Sequence, residues 1–371
     1  MNIKVNRSNI GGEITLVGSK SLLHRYLIMA SKSEKTIIEG VSYSQDIIAT
    51  INSLERLGVI IDRKKDSLLI KKGQINKRVE LDVIESGASL RFLLAFCFLH
   101  EREVTIKASG RLSQRPLTPL IDELKRQGIE FESDHLPIKA CGRITSNEFQ
   151  IDGNVSSQFV SSFMLVSGLM DKKSLIKINN GLRSVDYVLM TKQVLEEFQV
   201  SVSINEDFSL IEIDPSQYKA PEKIQVEGDW SNSIVAISLG LLGGDVLIKG
   251  LRENSMQGDR RLISILNRQN ANLKFTDDGL MARPSQLKPF DLDIDENIDL
   301  FPVLSVLALA SKGDSVFRNI ERLRFKESDR VEAVKVMLEN CGALVEVKDN
   351  NFYIKYTALK GGIFDSFNDH R

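Results

Sequence analysis

Cysteine is scarce in this chain, with three in 371 residues. An odd, small number in a long chain makes no disulfide framework and points to a reducing compartment, the cytoplasm. No CxxC pair occurs, and His24, His100, His135 and His370 show no metal-ligand spacing, so no metal site is expected. Cys97 in LLAFCFLH and Cys341 at a helix end read as core residues, not nucleophiles. The opening segment, MNIKVNRSNIGGEI, lacks the apolar core of about 7–15 residues that marks a signal peptide. The longest apolar run, LFPVLSVLALA at 300–310, falls well short of the roughly 20 residues that span a bilayer. There is no charge excess either: 49 Lys and Arg face 50 Asp and Glu, a net charge of −1. Nucleic-acid binders normally carry a basic surplus. GSKS is not a phosphate-binding P-loop, which needs GK[ST] with an earlier glycine at fixed spacing, and neither GxSxG nor GxGxxG appears.

What is present is globular: 42% hydrophobic and 27% charged residues, in a length that suggests two domains. A helix with a Leu-rich end recurs as INSLERLG, LIDELKRQG, QVLEEFQ, ISILNRQN and KVMLENCG, at intervals of 70 to 72 residues. Each is followed by apolar alternation around an Asp- or Asn-rich turn, as in VIIDRKKDSLLI and ALVEVKDNNFYI, which predicts a strand pair. A second helix, opened by a small or polar turn, recurs at Lys20, Gly87, Ser157, Trp230, Asp299 and Asp369, at intervals of 67 to 73 residues. The chain thus reads as a βαβαββ unit of about 70 residues, five times over with the opening of a sixth. Three units per domain give an α/β protein. The boundaries read as 1–18 plus 229–371 for one domain and 19–228 for the other, with the sixth unit truncated and the N-terminal strand available to complete it.

Helix N-termini carry partial positive charge and unpaired N–H groups, so they attract anions. Here several are lined with hydroxyls and cations. Lys20 and Ser21 open one helix, with Arg25 on the same face; Gly87 and Arg91 repeat the i, i+4 spacing. Arg115 precedes Pro116, a favoured first helical residue. Ser156, Ser157 and Gln158 open a third helix, and Lys326, Glu327 and Arg330 a later one. Taken singly, such cations are ordinary surface charges, Ser residues are caps, Asp299 is an N-cap and KESDR a capping box. Their recurrence at equivalent repeat positions points instead to a pocket for a small, multiply anionic substrate.

The segments LVGSKSLLHR (16–25), SQRPLTPL (113–120), SSQF (156–159), VEGDWS (226–231), LRFKESDR (323–330) and NDHR (368–371) occur together, in this order. In that combination the chain resembles the EPSP synthase family of enolpyruvyl transferases along its whole length. The resemblance implies two domains of three repeats each, a pair of inside-out α/β barrels with substrates in the cleft between. It implies transfer of the enolpyruvyl group of phosphoenolpyruvate to the 5-hydroxyl of shikimate 3-phosphate through a tetrahedral adduct, with no metal and no organic cofactor. No nucleic-acid or membrane partner is expected, and relatives suggest a monomer.

Carried over by motif, Lys20, Ser21, Arg25, Ser156, Ser157, Ser184, Tyr187, Asp299, Arg322 and Lys326 hold shikimate 3-phosphate. Lys20, Gly87, Arg91, Arg115, Arg330 and Arg371 hold phosphoenolpyruvate, and Gln158 touches both substrates. Asp299 takes the proton of the attacking hydroxyl, Glu327 handles the proton at the methylene carbon, Lys326 offsets charge on the adduct, and Lys20 counts with Asp299 and Glu327 as catalytic. The chain departs from the family pattern at Val17, where proline is usual, at Glu85 and Ala88 in ESGASLR, and at Arg322 in place of asparagine. Since Gly87 is kept, the resemblance also implies that glyphosate competes for the phosphoenolpyruvate subsite. The sister enzyme acting on UDP-N-acetylglucosamine carries Lys-Asn where this chain has Lys20-Ser21, and a cysteine where it has SGRLSQRP. A different reading is a binding protein without turnover.

Overall fold

A computed structural model describes the chain apart from Met1, Asn2, Arg7, Leu359, Asn368, His370 and Arg371, with only the backbone of Glu296 described. Apolar periodicity yields ten α-helices among the described residues: α1 Lys20–Ala30, α2 Gln45–Arg56, α3 Gly87–Cys97, α4 Thr118–Arg126, α5 Ser157–Leu169, α6 Val185–Glu197, α7 Trp230–Leu242, α8 Leu262–Arg268, α9 Phe301–Ala310 and α10 Arg330–Asn340. None is long and apolar enough to cross a membrane. The chain divides into two compact units, one of Met1–Leu16 with Gly228–Arg371 and one of Val17–Glu227.

The Val17–Glu227 unit carries three four-stranded sheets. Their strand orders are Lys223–Gln225, Thr36–Glu39, Ser67–Lys71, Ile60–Arg63; then Arg78–Asp82, Arg102–Lys107, Ile138–Gly142, Glu130–Ser133; then Glu148–Asp152, Ser174–Asn179, Leu210–Asp214, Ser201–Ile204. In each, the first pair is parallel and the rest antiparallel. A parallel pair needs a crossover, and a helix supplies it. The other unit carries two sheets of the same order: Gly12–Thr15, Val246–Lys249, Gly279–Arg283, Asn272–Thr276 and Asp291–Asp293, Ser315–Arg318, Asn351–Lys355, Leu344–Lys348. The fold is mixed α/β, and no closed barrel forms among the described residues.

The hairpin sequences explain their own turns. Leu344–Lys348 and Asn351–Lys355 are joined by Asp349 and Asn350, both at positive φ (51° and 61°), the conformation a two-residue hairpin turn of matching twist demands. Asn and Asp tolerate it best among residues with a side chain.

The helices differ by burial. In α5 every residue except Gln158 is buried, and α3 is buried but for Ala88, so these two are apolar nearly all round and form the centre of their unit. Helix α4 instead has one buried stripe at Leu120, Ile121, Glu123 and Leu124 and a polar outer face. A fully buried Leu or Phe contributes about 1.5–3 kcal/mol, so α3 and α5 anchor the positions of the polar residues at their N-terminal ends.

Three sequence expectations are corrected. The N-terminal strand, expected to complete the last unit, pairs instead with Val246–Lys249 in parallel register, Gly12 opposite Val246. Pro116 does not open a helix: α4 starts at Thr118 with Pro119 in its first turn, and Arg115 ends a short 3-10 turn, Gly110–Gln114. Lys326 and Glu327 precede α10, which begins at Arg330 because Asp329 caps it, accepting from the Val331 and Glu332 amides at 3.1 and 3.2 Å.

Candidate active site

In the Val17–Glu227 unit, the cluster grows from the N-termini of α1, α3, α5 and α6. The chain enters α1 through Gly18, where a Cβ would lie 2.0 Å from the Gly40 carbonyl oxygen, so only glycine allows the approach. That entry sets Lys20 at the first helical position, with Nζ 2.6 Å from Oδ2 of Asp46 in the first turn of α2. Ser21 is half-buried beside it, and its carbonyl accepts from Arg25 Nη1 at 2.7 Å.

Arg25 is 2% exposed. Its Nε donates to Thr191 Oγ1 at 2.7 Å, and Nη2 donates to the Tyr187 carbonyl at 3.2 Å and to Ser161 Oγ at 3.4 Å. Phe92 and Tyr187 lie 5.1 and 6.0 Å from the guanidinium carbon. All four hydrogen-bond acceptors are neutral, and no carboxylate among the described residues pairs with it. Burial accordingly pushes the Arg25 pKa down to about 10. A buried cation without a countercharge is costly, which makes the position a receptor for an anion.

At α3, Ser86 caps by accepting from the Ser89 amide, and Gly87 begins the helix. A Cβ on Gly87 would sit 2.9 Å from both Arg91 Nη1 and Arg115 Nη1, so two guanidiniums converge on a helix N-terminus. Arg91 is buried and donates to Gln158 Oε1 at 2.6 Å, which ties α3 to α5. Ser156 caps α5, accepting from the Gln158 amide at 3.3 Å, with Ser157 buried behind it. Ser184 stands at the cap position of α6 in the left-handed conformation (φ 52°), and Tyr187 follows in the first turn. The departures also find places: Val17 is exposed, Ala88 is half-buried, and Glu85 lies against Gly110, where a Cβ would meet its Oε1 at 1.5 Å.

Beneath this cluster His24 is buried, with Nδ1 2.8 Å from Thr50 Oγ1, which in turn is 2.7 Å from Ser89 Oγ. Burial, countered by Asp46 and reinforced by Lys20 and Arg25, brings the His24 pKa down to about 3, so the imidazole is neutral. Burial pushes Cys97 up to about 12, which removes it as a nucleophile.

In the other unit the centre is Arg330, 1% exposed. Its Nη1 donates to Asp299 Oδ1 at 2.7 Å, Nη2 to Glu327 Oε2 at 2.9 Å, and Nε to Asp369 Oδ2 at 2.9 Å. Ser328 Oγ adds a bond to Asp369 Oδ2 at 2.8 Å. Burial works against the Arg330 charge, but Asp299, Asp369 and Glu327 outweigh it and raise the pKa above its ordinary value. Burial alone would raise the Asp369 carboxyl, and the Arg330 hydrogen bond holds it below its usual range. Lys326 Nζ stands 3.7 Å from Asp299 Oδ1. Burial lowers the Lys326 pKa, with Arg330 and Arg322 acting in the same direction against Asp299 and Glu327. Asp299 does not cap α9, whose cap position is Leu300; its carboxylate is drawn to Arg330 instead. Arg322 is engaged by Asp295, through its carbonyl at 2.9 Å and its Oδ1 at 3.2 Å. Arg371 lies outside the described residues.

Two clusters result, each inside its own unit: cations and hydroxyls around Arg25, Arg91 and Lys20, and carboxylates with two cations around Arg330. The first suits phosphate and carboxylate binding; the second suits moving protons beside a developing charge. Against known families, a model described as EPSP synthase (3-phosphoshikimate 1-carboxyvinyltransferase) matches residues 5–371. The chain belongs to the EPSP synthase family. It is 36% identical over 385 aligned residues to the 3-phosphoshikimate 1-carboxyvinyltransferase of Clostridium novyi, covering 100% of this chain and 88% of that one. To the enzyme of the same name from Clostridium acetobutylicum it is 35% identical over 379 residues, with the same coverages. Its fold is similar to the solved EPSP synthase of Acinetobacter baumannii, at TM-score 0.78 and 21% identity over 98% of this chain and 87% of that one. It is also similar to the enolpyruvyl transferase NikO of Streptomyces tendae, at TM-score 0.71 and 15% identity over 94% and 82%.

Sequence reasoning about this EPSP synthase family member did not single out Asp46, Ser161, Thr191 or Asp369 as partners of the candidate residues. Asp46 carried one signal, an acid in the first turn of a helix opened by Ser44. Thr191 and Ser161 carried none, since a hydroxyl inside an apolar helix reads as filler.

Proposed function

We propose that this chain transfers the enolpyruvyl group of phosphoenolpyruvate to the 5-hydroxyl of shikimate 3-phosphate, releasing inorganic phosphate. The observation that carries the reading, beside family membership, is the buried Arg25 guanidinium held by neutral acceptors. A phosphorylated substrate supplies the missing charge. Lys20, Ser21, Arg25, Ser156, Ser157, Ser184 and Tyr187 bind shikimate 3-phosphate, and Gly87, Arg91 and Arg115 bind phosphoenolpyruvate, with Gln158 and Lys20 serving both. Arg330 and Arg371 join the phosphoenolpyruvate set, and Lys326 and Arg322 the shikimate 3-phosphate set. Asp299 accepts the proton of the 5-hydroxyl as its oxygen bonds to C2 of phosphoenolpyruvate. Glu327 delivers a proton to the methylene carbon, giving a tetrahedral adduct. Return of a methyl proton to Glu327 restores the double bond as the C–O bond to phosphate breaks, and the departing phosphate takes up the proton held by Asp299, which regenerates the base. Lys326, close to Asp299, offsets negative charge on the adduct.

The common strand order of the five sheets supports a βαβαββ unit of about 70 residues repeated in an inside-out α/β barrel pair. The paired guanidiniums at Gly87 support glyphosate as a competitor of phosphoenolpyruvate. A cytoplasmic monomer completes the reading. The test is phosphate release from phosphoenolpyruvate with either acceptor. Release with shikimate 3-phosphate alone is expected; release only with UDP-N-acetylglucosamine, or with neither, refutes it.

A further inference from the structure

Within the Val17–Glu227 unit, the C-terminal ends of α1, α2, α3 and α5 frame a cavity of about 450 Å³ that none of the candidate substrate residues lines. Its volume falls in the range of small-molecule sites, about 300–1,000 Å³. The floor is apolar, with Leu57, Phe96, Ile144 and Leu169 all buried. The lining is also cationic: Lys32, Lys72, Arg102, Arg143 and Lys172 stand against one carboxylate, Asp171.

Part of that charge answers the fold. Helix C-termini carry about half a negative charge each. Arg102, buried, meets them by donating to the Cys97 carbonyl at 2.7 Å and the Leu57 carbonyl at 3.5 Å. Lys32 divides between the Leu169 carbonyl and Asp171 Oδ1, both at 3.1 Å, and Lys72 pairs with Glu34. The Arg143 guanidinium and the Lys172 ammonium, both exposed, make no hydrogen bond or ion pair with any described residue. Their charge at the mouth is not used by the fold. An inorganic anion would leave the apolar floor uncovered, and a neutral ligand would leave the two cations unanswered.

We propose that this cavity is a second binding site, for a small organic carboxylate with an apolar body: the body lies on Leu57, Phe96 and Leu169, and Arg143 and Lys172 take the carboxylate. Arginine meets a carboxylate in bidentate fashion, which fixes its orientation. The site is separate from the substrate cluster. Helices α1, α3 and α5, of 11, 11 and 13 residues, begin at Lys20, Gly87 and Ser157 and end at the cavity. At 1.5 Å per residue that is roughly 16–20 Å.

The test uses the full chain saturated with shikimate 3-phosphate, titrated with 3-phenylpropionate and followed by amide and histidine NMR. Saturable shifts at Gly58, Leu99, Ile144 and Met170 are expected, with affinity about tenfold weaker in the Arg143→Glu/Lys172→Glu variant. Partial burial, with Arg102 and Arg143 nearby, holds the His100 pKa low against a smaller opposing pull from Asp171. A bound carboxylate raises it. Both substituted positions are exposed, so melting should not change; if it does, Arg143→Gln/Lys172→Gln makes the same test without reversed charge. The proposal is overturned by no saturable shift at millimolar probe, or by equal affinity in the variants. Equal binding of 3-phenyl-1-propanol or inorganic phosphate, or shifts confined to Lys20 and Gln158, overturns it as well.

Discussion

Replacing Thr191 by valine tests how the buried Arg25 is held. Valine keeps the shape of threonine and removes its oxygen. That oxygen accepts from Arg25 Nε at 2.7 Å and donates to the Tyr187 carbonyl at 2.7 Å or to Ser161 Oγ at 2.9 Å. The Tyr187 carbonyl keeps its bonds from Arg25 Nη2 and Ser161, so its loss is minor. The Arg25 N–H is different, because it stays buried, charged and unpaired. A hydrogen bond to a charged group is worth about 1.5–3 kcal/mol, and an orphaned charged donor costs at least that. A total of about 2–3 kcal/mol is expected. For a compact unit of this size, spanning residues 17–227, each kcal/mol lowers Tm by about 2–4 °C, so the drop is about 4–12 °C. Freed from Thr191, the guanidinium is also less well aimed, and the Kd for shikimate 3-phosphate should rise about tenfold, the equivalent of 1.4 kcal/mol. Calorimetric melting and titration measure both, and Thr191→Ser, which keeps the oxygen, should recover most of each. A valine variant that melts within about 1 °C of the parent and binds shikimate 3-phosphate equally would refute the argument.

Asp299→Asn leaves a group that cannot take a proton, so kcat should fall about 10²–10⁴-fold with shikimate 3-phosphate affinity little changed; a fall below about tenfold removes Asp299 as the base. Gly87→Ala places a Cβ 2.9 Å from the ends of Arg91 and Arg115, which must shift, so KM for phosphoenolpyruvate should rise several-fold more than KM for shikimate 3-phosphate. Steady-state kinetics showing equal changes would count against a phosphoenolpyruvate subsite there. His24 takes a proton near 6.5 when unfolded and only near 3 when folded. Between those values the unfolded chain holds the extra proton, so this contribution to stability falls as pH drops, by up to about 1.4 kcal/mol per unit. Urea unfolding between pH 7 and 4 should show that slope diminished in His24→Gln; an unchanged slope assigns it elsewhere.

Much of the local structure can be read from short stretches. The alternation in ALVEVKDNNFYI predicts a strand pair, and Asp349 and Asn350 suit its turn, because both signals lie within a dozen residues. Ser21 and Arg25 share a face because the helix period puts them there. The place of the N-terminal strand is not legible in the sequence, for the opposite reason. Its apolar pattern says that it pairs, but its parallel partner, Val246–Lys249, is more than two hundred residues away. KESDR divides similarly: Asp329 is the cap that the pattern suggests and Glu327 pairs with Arg330 three residues on, while Arg330 also turns to Asp299 and Asp369, which the local pattern does not define.

The sequence alone determined the family, through six short motifs in a constant order, and the residue types at each helix start, because motif spacing and helix geometry are local properties. Tertiary structure decided what those residues do to one another. Arg25 meets Thr191 across 166 residues, Arg91 meets Gln158 across 67, and Arg330 gathers Asp299 and Asp369 from either side. Charge and burial act through space at a few ångströms. Whether a cation is matched, as at Arg330, or left among neutral acceptors, as at Arg25, is set only when the helices pack.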